Sequence, residues 1–218
     1  MTIRAVFFDV GGVLVNETRI YSEWAAWLGV SPFTFFGVLG AVIERRQHPH
    51  RAFEIIKPGF DLAAEETLRR AAGRPNETRV SDLFPDVADA LAAVRAAGYL
   101  IGIAGNQPAA IEGFLQQSGL PADIIASSEG WGVEKPSPLF FTRVAEVAGL
   151  PPSEIAYVGD RVDNDVLPAN AAGMLSVFLP RGPWGAIHAA WTEAAQARVR
   201  IESLADLTRS LRDLRLDL

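Results

Sequence analysis

Apolar runs rich in β-branched or aromatic residues punctuate the chain at Ile3 to Phe8, Tyr99 to Ala104, Ile124 to Ala126, Ile155 to Val158 and Leu175 to Leu179. Their length and near-continuous hydrophobicity suit strands buried on both faces, and each run after the first follows a segment with helical spacing. Strands alternating with helices predict an α/β fold with a parallel five-stranded sheet covered on both sides. Asp86 to Ala97 ends at Gly98 and Pro138 to Ala148 ends at Gly149, the stop signals of two such helices.

Between the first run and Asp86, the stretch 16–83 keeps helical periodicity without a convincing strand, and it is far longer than a usual connection within a sheet. It predicts a helical insertion, so that 1–15 and 84–218 make one core domain and 16–83 a satellite. Helices are expected at Ile20 to Leu28, Pro32 to Arg46 and Leu62 to Ala72, with breaks at Gly29-Val30-Ser31, His48-Pro49-His50 and Pro58-Gly59. Trp24 and Trp27, three residues apart, read as core packing on one helix face.

Composition narrows the partners. The 218 residues, 49% hydrophobic and 21% charged, accommodate one α/β core plus a modest insertion, and the whole is expected to fold. A net charge of −6 argues against nucleic acid, while local positive charge would still admit a small anionic substrate. The absence of cysteine excludes disulfides and thiolate chemistry and fits a cytoplasmic protein. No signal-peptide pattern or membrane-length apolar stretch is seen, so no membrane partner is expected and a monomer or homodimer is. Of 20 basic residues only Lys57 and Lys135 are lysines.

Three segments carry candidate chemistry. Phe7-Phe8-Asp9-Val10-Gly11-Gly12 puts a carboxylate at the end of the first strand, where ligands of open α/β sheets sit, although an Asp there also suits a turn. Gly159-Asp160-Arg161-Val162-Asp163-Asn164-Asp165 crowds acids after a later strand. Hard oxygens of this kind suit Mg²⁺, and acids at a helix start are the other reading. Glu129-Gly130-Trp131-Gly132-Val133-Glu134-Lys135-Pro136 holds the second lysine in a glycine-rich loop, either near an anion at the sheet edge or simply exposed.

In this order the segments resemble the haloacid dehalogenase superfamily, whose pattern is an Asp after the first strand, a Ser or Thr after the second, Lys-Pro, then Gly-Asp with a further Asp. Lys135-Pro136-Ser137-Pro138, Gly159-Asp160, Asn164-Asp165 and Ala171-Ala172-Gly173-Met174 carry the match, with Ser203-Leu204-Ala205-Asp206-Leu207 as the family's closing segment. The resemblance implies a Rossmann-like sheet with a helical cap inserted after the first strand. It implies phosphatase chemistry in which Asp9 attacks and forms a covalent intermediate, with Lys135 as the second catalytic group. It further implies Mg²⁺ at Asp9, the Gly11 carbonyl and Asp160, with Asp165 completing the acidic set and holding Lys135. A small phosphate ester would meet Lys135 and the backbone at Gly105 and Asn106.

Two positions depart from the family. Gly11 replaces the second Asp that normally serves as general acid and base, assistance typically worth about 10² to 10⁴ in rate. Gly105 replaces the phosphate-binding Ser or Thr, although backbone amides there suit an anion. Asn16, Glu17, His48 and His50 are candidates to replace the acid and base, and arginines of the insertion to supply a positive field. A binding protein without turnover, a dehalogenase, or a phosphonate hydrolase with Lys57 as Schiff-base former are the other readings.

Overall fold

In a computed structural model, which describes residues 2–216, the apolar runs form β1 (Ala5–Phe8), β2 (Leu100–Gly105), β3 (Ile124–Ser127), β4 (Ile155–Gly159) and β5 (Leu175–Phe178). They pair in parallel, and the sheet runs β3-β2-β1-β4-β5-β6. The sixth strand corrects the expected five: β6 (Val199–Arg200) pairs with β5 through Val177 and Val199. Two residues, one of them an exposed arginine, are too short to leave a periodic pattern.

The chain divides into two units, residues 1–16 with 83–218 and residues 17–82. The smaller unit contains α1 (Thr18–Trp27), α2 (Pro32–Glu44), α3 (His50–Ile56) and α4 (Leu62–Ala71). The unforeseen helix is α3. His48-Pro49-His50 reads as a break, yet Pro49 stands just before the first helical residue, where a missing N–H costs nothing. Trp24, Phe35, Phe53 and Phe60 form the aromatic interior, with ring centroids 4.8 to 5.8 Å apart in the pairs Phe53–Phe60, Phe35–Phe53, Trp24–Phe53 and Trp24–Phe60. The Arg69 guanidinium lies 4.2 Å from the Trp24 ring centre. No single helix among the described residues is long and apolar enough to cross a membrane.

In the larger unit, alternation along β1 feeds two cores. Val6 and Phe8 join Ile101, Ile103 and Val158 against α5 (Val87–Ala96), α6 (Ala110–Gln117) and α11 (Leu207–Leu216). Ala5 and Phe7 join Tyr157 on the other face, beneath α8 (Pro138–Ala148) and α9 (Leu167–Ala171). Two shorter helices, α7 (Ser128–Trp131) and α10 (Gly182–His188), complete the unit. α8 starts where Ser137 accepts the Leu139 N–H and Pro138 occupies the first turn, and it ends at Gly149 in the left-handed region. The order of strands reverses direction about β1, with β2 and β3 on one side and β4 to β6 on the other. Its carboxyl end is therefore the switch-point crevice of the sheet.

Candidate functional site

Asp9 is the first residue beyond β1, and its backbone N–H donates to the Val158 carbonyl of β4 at 2.9 Å. Asp160 is the first residue beyond β4. A wide π-helical turn (Val162–Val166) follows, in which the Asp165 N–H donates to the Arg161 carbonyl at 3.0 Å and the Arg161 N–H donates to Asp165 Oδ2 at 2.9 Å. The turn folds Asp165 back toward the strand end. The carboxylates of Asp9, Asp160 and Asp165 are all buried, and their nearest oxygens lie within 4.8 Å of one another.

Lys135 enters from the loop before α8 and is only 3% exposed. Its Nζ donates to Asp165 Oδ1 at 2.6 Å and lies 2.9 Å from Asp9 Oδ1. The Lys135–Pro136 peptide bond is cis. Asn106, just beyond β2, braces that loop: its Nδ2 donates to the Lys135 carbonyl at 2.8 Å and its Oδ1 accepts the Lys135 N–H at 2.7 Å. Burial opposes the charge on Lys135, but Asp165 and Asp9 carry its pKa well above the ordinary lysine value. Burial pushes the Asp165 carboxyl up to about 6, against the pull of Lys135 and aided by repulsion from Asp9. The two shifts describe one crowded cluster, in which the ammonium stays charged and the surplus negative charge burdens the carboxylates.

Three glycines make this crowding possible, one against each carboxylate: a Cβ at Gly159, the last residue of β4, would stand 2.2 Å from Asp165 Cβ and Cγ. Gly12, at φ 69°, lies so close to Asp160 that a Cβ there would stand 2.2 Å from its Oδ2. A Cβ at Gly105 would stand 2.2 Å from Asp9 Oδ1, so the bare backbone lets the carboxylate lean against the end of β2 toward Lys135.

A family model described as haloacid dehalogenase-like hydrolase matches residues 3–173. The chain belongs to the haloacid dehalogenase-like hydrolases. A glyceraldehyde 3-phosphate phosphatase from Methanopyrus kandleri is 29% identical to the hydrolase over 208 residues, 84% of this chain and 86% of the relative. A phosphoglycolate phosphatase from Vibrio vulnificus is 30% identical over 133 residues, 59% of this chain and 56% of the relative. Among solved structures, a predicted phosphoglycolate phosphatase from Haemophilus somnus superposes with a TM-score of 0.70 at 20% identity, covering 96% of this chain and 98% of the other. That last likeness speaks to the fold.

The structure thus brings Asp9, Lys135, Asp160 and Asp165 of the hydrolase together, with Gly105 at the end of β2 and Gly11 and Asn106 just beyond the ends of β1 and β2. Three carboxylates facing one ammonium form a donor set that fits Mg²⁺, a hard cation bound through oxygen. The Asn106 side chain is committed to the Lys135 backbone, a bracing role that the sequence did not signal. Of the residues considered as a replacement acid and base, Asn16 closes the larger unit, whereas Glu17, His48 and His50 belong to the smaller one. There His50 Nε2 lies 3.7 Å from Glu54 Oε1, and the His50 backbone N–H donates to His48 Nδ1. Lys57 is engaged with Glu65, which also accepts the Trp27 indole N–H. The amine that a Schiff base requires is thus already an ion-pair partner.

Tyr157 was read only as part of a strand. Its hydroxyl donates to the Ala104 carbonyl at 2.7 Å, and its ring centre lies 5.3 Å from the Lys135 ammonium. Burial drives its pKa well above the usual phenol value, which keeps it neutral beside the cluster.

Proposed function

We propose that the protein is a Mg²⁺-dependent phosphatase of small phosphorylated metabolites, working through an aspartyl-phosphate on Asp9. The observation that carries the reading is the buried Lys135 ammonium spanning Asp9 and Asp165 while Asp160 crowds the same strand end. In this reading Asp9, Asp160 and the Gly11 carbonyl hold the ion, because both Asp165 oxygens already accept bonds from Lys135 and the Arg161 N–H. The ion, when bound, supplies charge neutralisation for the phosphoryl group.

The chain's own residues account for the remaining steps. One oxygen of Asp9 attacks phosphorus, the bond from phosphorus to the ester oxygen breaks, and the leaving oxygen takes its proton from water. Lys135 stabilises negative charge as it spreads over the phosphoryl oxygens, and Asp165 fixes where its ammonium stands. Water then attacks the acyl phosphate, releasing phosphate and restoring the Asp9 carboxylate. Because residue 11 contributes no carboxylate, esters with good leaving groups should turn over fastest.

The test is hydrolysis of p-nitrophenyl phosphate with and without Mg²⁺, alongside Asp9→Asn. Glyceraldehyde 3-phosphate and phosphoglycolate, named in the relatives' activities, are the first natural esters to try. Metal-independent turnover, or full activity in Asp9→Asn, would overturn the reading.

A further inference from the structure

The turn that carries Asp160 and Asp165 is tied to a distant helix by one buried histidine. His188, the last residue of α10, is 1% exposed, and its Nδ1 accepts the Val162 N–H at 3.0 Å. Its ring stacks on Trp191 at a centroid separation of 3.7 Å and 24° between planes, which fixes the direction in which Nδ1 points. The backbone N–H groups at the start of such a turn lack partners within it. Here two side chains supply them: Asp165 takes the Arg161 N–H and His188 takes the Val162 N–H. Arg161 is itself anchored by two bonds to Asp163, at 3.0 and 2.8 Å. The start of α10 approaches the same carboxylate, since a Cβ on Gly182 would stand 4.0 Å from Asp160 Oδ2.

We infer that His188 is a positioning residue for the metal centre: by holding the Val162 N–H it fixes the turn whose ends present Asp160 and Asp165. The inference rests on the proposed metal role of Asp160. Groups that hydrogen-bond directly to a metal's ligands typically matter about 10- to 100-fold in affinity, and His188, which holds the backbone two residues beyond Asp160, is expected at the low end of that range. Asparagine at 188 can still offer an acceptor oxygen near the position of Nδ1, whereas leucine of similar volume cannot.

Mg²⁺ binding is measured by calorimetry, without substrate, on the wild type, His188→Leu, His188→Asn and Asp160→Asn. The expected result is binding lost in Asp160→Asn, weakened about tenfold or more in His188→Leu, and restored to within a few-fold of wild type in His188→Asn. Unchanged binding in Asp160→Asn would overturn the metal reading and this inference with it. Lost binding there with wild-type affinity in His188→Leu, or equal loss in both His188 variants, would overturn the inference alone. Should His188→Leu not fold, amide exchange on the wild type decides: Val162 is expected to be protected like the strand amides of β4, and fast exchange would refute the tie.

Discussion

Both units bury charge, but they balance it in opposite ways. In residues 17–82, Asp82 accepts two bonds from the Arg19 guanidinium and one from the Arg79 N–H, while Glu23 meets Arg19, Arg69 and Arg79. Two carboxylates face three guanidiniums, so each carboxylate has its counter-ion, and the surplus is one positive charge, with the Arg79 side chain largely exposed and Arg69 Nη1 buried without a hydrogen-bond partner. At the end of β1 and β4, three carboxylates face one ammonium. Burying like charges is costly unless something compensates them, and a cluster left one-sided is poised for a ligand of the opposite sign. Where cations match or outnumber the carboxylates no further cation is called for, and where carboxylates outnumber cations by two there is charge for a cation to meet.

The largest expected effect comes from deepening the imbalance. Lys135→Met removes the only ammonium of the site and leaves three buried carboxylates, which should destabilise the protein by about 3–5 kcal/mol and abolish turnover. Urea denaturation with and without Mg²⁺ checks this. Saturating Mg²⁺ should return part of the loss, about 2.7 kcal/mol at a hundred times its dissociation constant. If the variant is as stable as the wild type without Mg²⁺, the imbalance was not costly. The counterpart in the smaller unit is Asp82→Ala, expected to cost about 2 kcal/mol through the lost charge-assisted hydrogen bonds. Mg²⁺ should raise this variant only as much as it raises the wild type, so the gap between the two should persist, and closure of that gap by Mg²⁺ as in Lys135→Met would erase the distinction between the clusters.

How legible each cluster was follows from the range of its contacts. The acids of the candidate site lie at strand ends in short segments, so an apolar run followed by Asp9, or by Asp160 and Asp165, was visible in the sequence, as was Lys135 before a proline and a helix. The brace of Asn106 on Lys135 and the hold of His188 on Val162 span 29 and 26 residues. No local pattern encodes such contacts, because they exist only once the sheet has formed. For the same reason the pairing of Arg19 with Asp82 was invisible, although both residues could be read as polar positions of a helical insertion. The fold was legible in its strands and long helices. It was missed at β6, too short for periodicity, at α3, hidden behind a proline that starts a helix as readily as it ends one, and at α10 and α11, where no helix was expected.

A gain of function sharpens the comparison from the other side. Gly11→Asp adds a fourth carboxylate at a partly exposed position of the crowded end. The variant should bind Mg²⁺ more tightly and hydrolyse esters with poor leaving groups, such as sugar phosphates, up to about 10²-fold faster. Esters with phenolate leaving groups should gain little, since they need scant protonation. Steady-state rates on one ester of each kind measure the difference. A wild type already brisk on sugar phosphates, with nothing gained by the variant, would place the acid and base elsewhere and make Glu17, His48 and His50 the next positions to change.

The smallest effect separates balance from location. Asp86 lies in the larger unit, yet it is satisfied like the cluster of the smaller one: Arg181 donates to both its oxygens at 2.9 and 3.1 Å, and Ser203 Oγ and the Leu204 N–H donate to Oδ2. Burial raises its pKa, but the Arg181 bonds and charge and the Leu204 and Ser203 bonds outweigh that, holding the carboxyl below its ordinary 3.8. A carboxyl depressed in the folded state contributes stability that is fully present above the unfolded value and lost as pH falls through the folded one. The stabilisation from Asp86 should therefore be intact at pH 5 and above and fade below about pH 4. Asp86→Asn should lower stability at neutral pH and flatten the acid limb of the stability curve, and its difference from the wild type should be the same with and without Mg²⁺ at each pH. Denaturation midpoints measured from pH 3 to 7 with and without Mg²⁺ test both parts. A Mg²⁺ response in this variant different from the wild type's would mean that position in the larger unit, rather than the balance of charge, governs what the ion does.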